Sequence, residues 1–561
     1  MAYVHKAVGA CGGDALVKLK QRMAQPPKLA GRLGLAVIIV VLLSTFSEFS
    51  EAKGPATVEG FEVSTMAGKL QGVPRVSGGA EFLGIPYAQP PVGELRWREP
   101  LPAKPWGGVR DATHFGSPCA QPVLGDWNKH DAAGGMEDCL YLNVITPVWP
   151  PKKELPVMFW IHGGSNTGGT ASGRLYKDGT LVNHGVLLVT VNYRLGVFGF
   201  LAHPELSKET PRHASGNYGL MDQIAALHWV RANISRFGGD PSNITVFGQS
   251  AGAEDTSLLM ASPLAHGFFQ RAITQSGSAM IGQLPRLAAA EKQGINLAGS
   301  LHAPINGSAI AYMRGLTEQQ VLDGILKTDP DGEESFEPNI DGYVLTRRPL
   351  ETFEEGQQAG VPLLIGTTTK EFTFDGTTAD ARKMIRETTG ASTDRALALY
   401  GLDGDGDGKS DPLYGSAADQ WFADLLFRCP ATTQAMWQTA AKRPVYQYEL
   451  QHAIPGQEKQ GAIHSTDLPY VFGFYPGTGN LAGSYGPLDN DITSLIETYW
   501  TNFAKKGNPN GFGIPSWPEF GETQAYIEIT QAGKVVQKTA LRQKQCELFR
   551  DVLKQRSTVP H

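Results

Sequence analysis

Clustered basic charge and long apolar segments are both scarce in this chain. The first is typical of nucleic-acid-binding proteins and the second of membrane-spanning proteins. Its 49 Lys and Arg residues stand against 55 Asp and Glu residues, a formal net charge of −6 over 561 residues. No basic stripe or block is present, so we predict no nucleic-acid partner. The most pronounced apolar segment, 33–46, has 14 residues, whereas a helix needs about 20 to span a bilayer.

The residues around that apolar segment follow the pattern of a secretory signal peptide. Small residues at Ser50 and Ala52 follow it at the spacing that a signal peptidase accepts, and basic residues precede it at Lys18, Lys20, Arg22, Lys28 and Arg32. We predict a signal peptide with a long basic amino-terminal region over 1–52. A secreted or periplasmic location and no stable membrane insertion after its removal follow from this. A signal anchor is the alternative, and initiation at Met23 would give a more usual signal length.

Cysteine is scarce, with five in the chain, and Cys11 lies within the predicted signal. The four that remain are an even number in a chain that we expect to enter an oxidising compartment, namely Cys119, Cys139, Cys429 and Cys546. Four cysteines allow three pairings, and the cysteine count does not choose among them.

The order of apolar segments predicts an α/β fold. Four nearly continuous apolar, β-branched segments are typical of strands buried on both faces of a mostly parallel sheet, at 155–164, 186–196, 243–250 and 361–369. The segment 219–237 has apolar residues at helical spacing between two of these strands. This alternation predicts a doubly wound sheet, with helical insertions capping it from about 285 to 460. No internal repeat or long linker divides 53–561, so we predict one domain.

Ser250 lies in a segment with the pattern of a nucleophile elbow. Gly-x-Ser-x-Gly alone is a weak signal, but here the apolar ITVF precedes GQSAG and a helix-forming segment follows it. That strand–turn–helix setting is the one that a nucleophile elbow requires. The glycines leave room for a tight turn that lifts the hydroxyl off the sheet. We predict Ser250 as the nucleophile, with an ordinary turn as the alternative.

A serine nucleophile needs hydrogen-bond donors for the oxyanion that it creates. Gly163 and Gly164 follow a strand in WIHGGSN, where their backbone N–H groups can face a substrate oxygen. The N–H of Ala251, next after the nucleophile, would be the third donor. We predict these amides as the oxyanion hole; a plain turn at the glycine pair is the alternative.

Long segments resemble the two signatures of the type-B carboxylesterase/lipase family, which includes the cholinesterases. These are FGGDPSNITVFGQSAG at 237–252 and EDCLYLNVITP at 137–147. Further similar segments follow in order at 82–97, 192–201, 216–230, 275–278 and 503–510. The resemblance implies an α/β-hydrolase fold, a mostly parallel central sheet flanked by helices. It also implies hydrolysis of small carboxylic esters through a Ser-His-Glu triad and an acyl-enzyme, with no cofactor or metal.

The resemblance also implies the acid and the base of the triad. It points to Glu371 in IGTTTKEF and to His464 in GAIHSTDLPYVFG, with Asp375 and His452 as the nearest alternatives. His464 would take the proton of Ser250 and pass it to the leaving alcohol, while Glu371 would orient the imidazole. The order of the three residues along the chain is that of α/β-hydrolases.

Supporting residues follow from the same resemblance. Ser276 in QSGS resembles a serine that supports the site without reacting. Cys119 and Cys139 resemble the small-loop disulfide of the family, and Cys429 and Cys546 resemble the late disulfide of the cholinesterases.

Several residues depart from the cholinesterase pattern. Gln249 stands where many relatives have glutamate, so a negative charge beside the nucleophile is missing. The acyl-pocket phenylalanines align near Gly332 and Glu334, and a cholinesterase tryptophan aligns with Gln283. We therefore predict a roomy or polar acyl pocket and a substrate that is not cationic.

Two segments have alternative explanations. Trp127 resembles the tryptophan against which cholinesterases hold a quaternary ammonium, and packing of its loop is the alternative. DGDGDGKSD at 403–411 resembles the start of a Ca²⁺ loop, but Tyr414 replaces the bidentate glutamate at position 12. A flexible acidic surface loop is the alternative.

Other functions are available to this fold. Adhesion proteins of the neuroligin kind typically lack the nucleophile, whereas Ser250, Glu371 and His464 are all present here. A triad of this kind also attacks amides, lactones and polyesters, which remain alternative substrates. Neither the physiological ester nor the oligomeric state follows from the sequence.

Overall fold

The computed structural model describes residues 60–282, 284–304, 306–328 and 336–557. The predicted signal peptide over 1–52 and Cys11 lie outside these residues. The strands of the described residues, numbered along the chain, are β1 (Glu62–Ser64), β2 (Lys69–Gln71), β3 (Val73–Pro74), β4 (Ala80–Pro86), β5 (Val109–Asp111), β6 (Tyr141–Thr146), β7 (Leu155–Ile161), β8 (Leu187–Val191), β9 (Gly239–Gln249), β10 (Arg271–Gln275), β11 (Leu363–Thr368), β12 (Val445–Leu450), β13 (Ala525–Ile529) and β14 (Val535–Thr539).

An 11-stranded mixed sheet forms the centre, in the order β14-β13-β12-β11-β10-β9-β7-β8-β6-β4-β3, and β1, β2 and β5 form a small separate sheet. The strands from β13 across to β8 run parallel to one another. Antiparallel pairs are confined to the two sides of this block. The carboxyl ends of β9, β10 and β11 therefore meet at one edge of the sheet, which is where ligands bind in open α/β sheets.

Helices flank the sheet, as the alternation of sequence patterns predicts. Within the described residues the α-helices are α1 (Lys129–Ala133), α2 (Arg174–Lys177), α3 (Gly196–Phe200), α4 (Pro204–Glu209), α5 (Tyr218–Asn233), α6 (Ala251–Ala261), α7 (Leu287–Ser300), α8 (Ala309–Arg314), α9 (Glu318–Thr328), α10 (Pro349–Glu354), α11 (Thr378–Thr389), α12 (Thr393–Tyr400), α13 (Ala417–Ala423), α14 (Cys429–Ala440), α15 (Leu468–Phe472), α16 (Pro487–Lys506) and α17 (Gln543–Ser557). A π-helical turn over Asp424–Arg428 joins α13 to α14. Short 3-10 turns are Gly93–Leu95, Leu181–His184, Ile234–Phe237, Pro263–Ala265, Gly390–Ser392 and Glu458–Gln460.

The parallel strands are apolar throughout because both of their faces are buried. In β7, Val157, Phe159 and Ile161 pack into one hydrophobic core. Met158 and Trp160, the alternate residues, pack into a second core on the other face. Successive side chains of a strand point to opposite faces, so a strand covered on both sides needs an apolar residue at nearly every position.

A third core lies among the helical insertions. It is formed mainly by residues of α11 to α14 and of α17, including Met384, Phe422 and Phe549. The predicted excess of helices between about 285 and 460 is confirmed, although β11 and β12 also lie in this range as strands of the central sheet.

Two disulfides are present, with S–S distances of 2.00 Å for Cys119–Cys139 and 2.05 Å for Cys429–Cys546. These are the pairs that the family resemblance implies. In the described part of the chain, no helix combines the length and apolar character needed to span a bilayer.

Candidate active site

Ser250 lies in a sharp turn between the end of β9 and the start of α6. Its φ of 58° and ψ of −126° place it in a region that residues with a side chain rarely adopt. Its N–H donates to Gln275 O on the neighbouring strand at 2.9 Å. The chain therefore makes the strand–turn–helix arrangement that the sequence predicts at this serine.

The glycines on either side of Ser250 are required by close backbone approach. A Cβ on Gly248 would lie 2.3 Å from Gly252 O, and a Cβ on Gly252 would lie 2.1 Å from Ile161 O. Side chains at these two positions would push α6 away from β7. The glycines of the pattern thus allow the first turn of α6 to pack directly on the sheet.

Glu371 and His464 are brought together beyond the ends of the central strands. His464 Nδ1 lies 2.5 Å from Glu371 Oε2, and the Glu371 carboxyl group is fully buried. The other carboxylate oxygen accepts from Ser276 Oγ at 2.7 Å and from Thr368 N at 2.9 Å. The backbone N–H of His464 also donates to Glu371 O at 2.8 Å. The acid is therefore held by three donors, and His464 contacts Glu371 both through its imidazole and through its backbone N–H.

The alternative acid and base lie in other surroundings. Asp375 is exposed. His452 Nε2 lies 2.9 Å from Asp489 Oδ1, in a buried pair of its own. The geometry therefore favours Glu371 and His464 over these two residues.

Two aromatic rings that sequence reasoning missed enclose His464. Phe372 stacks on the imidazole with ring centroids 4.4 Å apart, and Phe427 lies at 5.0 Å in a tilted arrangement. Phe372 directly follows the acid, which is the only sequence signal for it. Phe427 comes from the π-helical turn, 37 residues before His464, so no local pattern indicates its contact.

His464 Nε2 is hydrogen-bonded to Gln249, at 3.0 Å from its amide Nε2. With the Gln249 amide as the donor, His464 Nε2 is the accepting atom of a neutral imidazole. The proton on His464 Nδ1 then faces Glu371. Among the described residues, no hydrogen bond joins His464 to Ser250 Oγ. Such contacts are often long in structures without ligand. Gln249, which the resemblance places among the residues that support the site, thus contacts the base directly.

The glycine loop, residues 162–169, lies against the nucleophile. A Cβ on Gly163 would lie 2.6 Å from Gln249 O and 3.0 Å from Ser250 Cβ. Gly164 has a φ of +116°, and its Cβ would lie 2.0 Å from Gly168 O. In the described structure, the amides of Gly163, Gly164 and Ala251 donate to no protein acceptor. These three N–H groups are thus available to a ligand.

Side chains tie the glycine loop to α6. Asn166 Nδ2 donates to Asp255 Oδ1 at 2.9 Å, and Tyr193 OH donates to His162 O at 2.9 Å. Burial lowers the pKa of His162 to about 4, so this ring is neutral, and it stacks on Tyr193 at 4.6 Å. The loop and the helix that follows the nucleophile are therefore one hydrogen-bonded unit.

A second buried acid, Asp467, lies behind the site and was missed by sequence reasoning. Its Oδ2 accepts from Gln275 Nε2 at 2.7 Å and from Tyr448 OH at 3.2 Å. Burial, with a smaller contribution from the negative charge of Glu371, raises the pKa of Asp467 to about 6. Its position three residues after His464 is the only signal for it in the sequence.

The remaining sequence predictions have different outcomes. Trp127 is 54 % exposed, and its ring atom Cη2 lies 3.3 Å from where a Cβ on Gly164 would be, so it borders the glycine loop. Gln283, Gly332 and Glu334, on which the acyl-pocket prediction rests, lie outside the described residues.

The acidic segment 403–411 is organised by an arginine. Arg382 donates to the carbonyl oxygens of Leu402 at 3.0 Å, of Gly404 at 2.5 Å and of Gly406. Asp403, Asp405 and Asp407 are exposed and Asp411 is half-buried, and no group of three metal-ligating side chains occurs within the described ranges. Because the Arg382 guanidinium already binds these carbonyl oxygens, the structure favours a surface loop over a calcium site at 403–411.

Both the sequence and the fold are similar to those of known proteins. Residues 59–549 match the model of the carboxylesterase family. The chain is 37 % identical over 476 residues to a fumonisin B1 esterase of Sphingopyxis macrogoltabida, covering 81 % of this chain and 84 % of that protein. It is 35 % identical to a para-nitrobenzyl esterase of Bacillus subtilis (strain 168), covering 87 % and 98 %. A solved structure of PNB esterase superposes with a TM-score of 0.76 at 32 % identity, covering 87 % of this chain and 99 % of that chain.

Proposed function

Because this chain belongs to the carboxylesterase family and is a carboxylic-ester hydrolase with the α/β-hydrolase fold, we propose that Ser250, His464 and Glu371 form its catalytic triad. The observation that carries this proposal is the buried Glu371–His464 pair beside a strained serine turn. A neutral imidazole whose Nδ1 proton faces a carboxylate is the form that accepts a proton at Nε2.

The reaction starts when His464 Nε2 exchanges its hydrogen-bond partner. His464 Nε2 releases the amide of Gln249 and accepts the Ser250 hydroxyl proton as Oγ attacks the ester carbonyl carbon. Glu371 stabilises the imidazolium without taking its proton. His464 then protonates the leaving alcohol, and a water molecule that it activates hydrolyses the acyl-enzyme. The two rings on His464 exclude solvent from one side of the imidazole.

The amides of Gly163, Gly164 and Ala251 supply the oxyanion hole. Their N–H groups lie beside the nucleophile and have no competing acceptor in the described structure. Donors fixed before the reaction stabilise the developing oxygen charge without reorganisation, and each is worth about 3 kcal/mol.

The neutral amide of Gln249 supports a substrate without positive charge. A carboxylate at this position would attract a cationic alcohol group, and Gln249 lies in direct contact with the base. We propose a roomy or polar acyl pocket and a preference for neutral or anionic esters. The relative named for fumonisin B1 makes that compound a suitable test substrate.

Export to a secreted or periplasmic location is part of the proposal. Its support is the signal-like segment over 1–52 and the two disulfides, since such bonds persist in oxidising compartments. Detection of the mature chain outside the cytoplasm, beginning near residue 53, tests this part.

Hydrolysis of a p-nitrophenyl ester series tests the catalytic proposal. We expect Ser250→Ala to lower kcat by about 10⁴-fold or more, because the covalent route is lost. Acyl chains of increasing size and polarity then test the pocket. An alanine variant with near wild-type kcat would contradict the triad, whereas strict preference for acetylcholine would contradict only the pocket.

A further inference from the structure

The loop closed by the Cys119–Cys139 disulfide, residues 119–139, is joined to the glycine loop by one buried side chain. Gln121 is 3 % exposed. Its Oε1 accepts from Gly169 N at 2.9 Å, and its Nε2 donates to Gly169 O at 2.9 Å. A side-chain amide that satisfies both backbone groups of one residue fixes that residue as a neighbouring strand would.

Gln121 is itself held in place from within the disulfide loop. Its Nε2 also donates to Cys119 O at 3.0 Å, and Asn128 Nδ2 donates to its Oε1 at 3.1 Å. Asn128 is fully buried and accepts from Leu124 N at 2.8 Å and from Gly125 N at 3.2 Å. These contacts form one connected network that starts at the disulfide. A buried polar network whose hydrogen bonds are all satisfied is rigid, so this network holds Gln121 in a single geometry.

The residue that Gln121 fixes packs directly on the glycine pair. Gly169 has a φ of +114°, and a Cβ there would lie 2.4 Å from Gly163 O. That oxygen belongs to the same planar peptide unit as the Gly164 N–H. A displacement of Gly169 would therefore rotate or shift the donor that faces the nucleophile.

We propose that Gln121 is a positioning residue for ester hydrolysis, and that it orients the Gly164 amide of the oxyanion hole through Gly169. The disulfide loop thereby becomes part of the catalytic machinery. This inference rests on the proposed function, because it requires that the glycine pair stabilises an oxyanion.

Gln121→Met tests it, since methionine keeps the volume and removes all four side-chain hydrogen bonds, including both to Gly169. We expect kcat per active site, titrated with an organophosphate, to fall by about 10- to 100-fold with KM within twofold. A misplaced oxyanion donor weakens transition-state binding and leaves substrate binding unchanged.

A trifluoromethyl ketone supplies the readout that a purely structural role would not move. Ser250 Oγ adds to its carbonyl carbon, the serine proton passes to His464, and the carbonyl oxygen becomes an oxyanion. We expect the Ki of this inhibitor to rise by the same factor as kcat/KM falls. Gln438→Met is the matched control, because Gln438 is also buried and donates to Ala359 O and Val361 O before β11 begins, at the opposite edge of the sheet.

Each outcome is decisive. Unchanged kcat and Ki in Gln121→Met, or an equal loss in Gln438→Met, would overturn the inference while the proposed function stands. If Gln121→Met does not fold, Gln121→Asn, which is one methylene too short to reach Gly169, replaces it. Failure of both to fold would assign Gln121 to folding and overturn the inference. A wild-type chain without a titratable serine would instead overturn the proposed function.

Discussion

The candidate site has two halves that are held in different ways. In the acid–base half, the functional groups are side chains, because Glu371 accepts from Ser276 Oγ and Thr368 N while Phe372 stacks on His464. In the oxyanion half, the functional groups are backbone amides, and their positions depend on the glycine loop. That loop is fixed by Asn166, Tyr193 and Gln121, whose contacts cross from other parts of the chain.

This difference predicts how each half fails. Loss of a side chain in the acid–base half removes a group that moves or orients a proton. In the oxyanion half the donors are backbone amides, which a side-chain deletion does not remove. Activity is therefore lost when a new side chain, or the loss of a side chain that holds the glycine loop, displaces the backbone. Gln249 belongs to both halves, since its amide contacts His464 Nε2 and its backbone oxygen packs on Gly163.

Among substitutions confined to one half of the site, the largest effect is expected from Glu371→Gln, which breaks the acid–base half. The amide cannot stabilise the imidazolium and favours the wrong tautomer, so we expect kcat to fall by about 10³- to 10⁴-fold near neutral pH. Steady-state kinetics with a p-nitrophenyl ester measure this. Asp375→Asn is the control, because the carboxyl group of Asp375 is exposed. A loss below tenfold in Glu371→Gln, or an equal loss in the control, contradicts the assignment.

A smaller effect is expected from Gly164→Ala, which breaks the oxyanion half alone. The new Cβ would lie 2.0 Å from Gly168 O at a φ of +116°, so the loop must shift and its amide with it. We expect kcat to fall by about 10²- to 10³-fold, the loss typical of one oxyanion donor. Gly299→Ala is the control, because a Cβ there meets no atom within 4 Å. Wild-type kcat in folded Gly164→Ala would show that this amide is not a donor.

The smallest effect is expected from Gln249→Glu, which adds a negative charge at the residue that contacts both halves of the site. A carboxylate beside His464 Nε2 stabilises the imidazolium, so the base is neutral only at higher pH. We expect the acidic limb of the kcat/KM profile to move to higher pH. We also expect esters of cationic alcohols to gain severalfold over neutral esters. Gln249→Met, which adds no charge, should leave the limb in place; equal profiles for all three proteins would refute the electrostatic role of this residue.

The two halves also differ in how far the sequence predicts them. The elbow at Ser250 is local, since an apolar strand, two glycines and a helix-forming segment adjoin one another in the chain. Glu371 and His464 lie 93 residues apart, and only the family resemblance pairs them. Four of the seven parallel strands of the described sheet, β7, β8, β9 and β11, are equally predictable, because burial of both faces favours nearly continuous apolar residues.

The contacts that support the site were not predictable, because they arise from packing between distant segments. Phe427 contacts His464 from a π-helical turn. Asp467 is buried in contact with Gln275 of β10 and Tyr448 of β12. Gln121 lies 48 residues from Gly169, and a single glutamine in a loop has no pattern that indicates a structural partner.

Labelling with a p-nitrophenyl phosphonate tests the central claim most directly. The serine Oγ displaces p-nitrophenolate and keeps the phosphonyl group, so released phenolate and peptide mass report the same event. The account predicts one equivalent of p-nitrophenol per chain, the label on Ser250, loss of ester hydrolysis in step with labelling, and no label in Ser250→Ala. Label on another residue, or full ester hydrolysis by a chain that is not labelled, would contradict it.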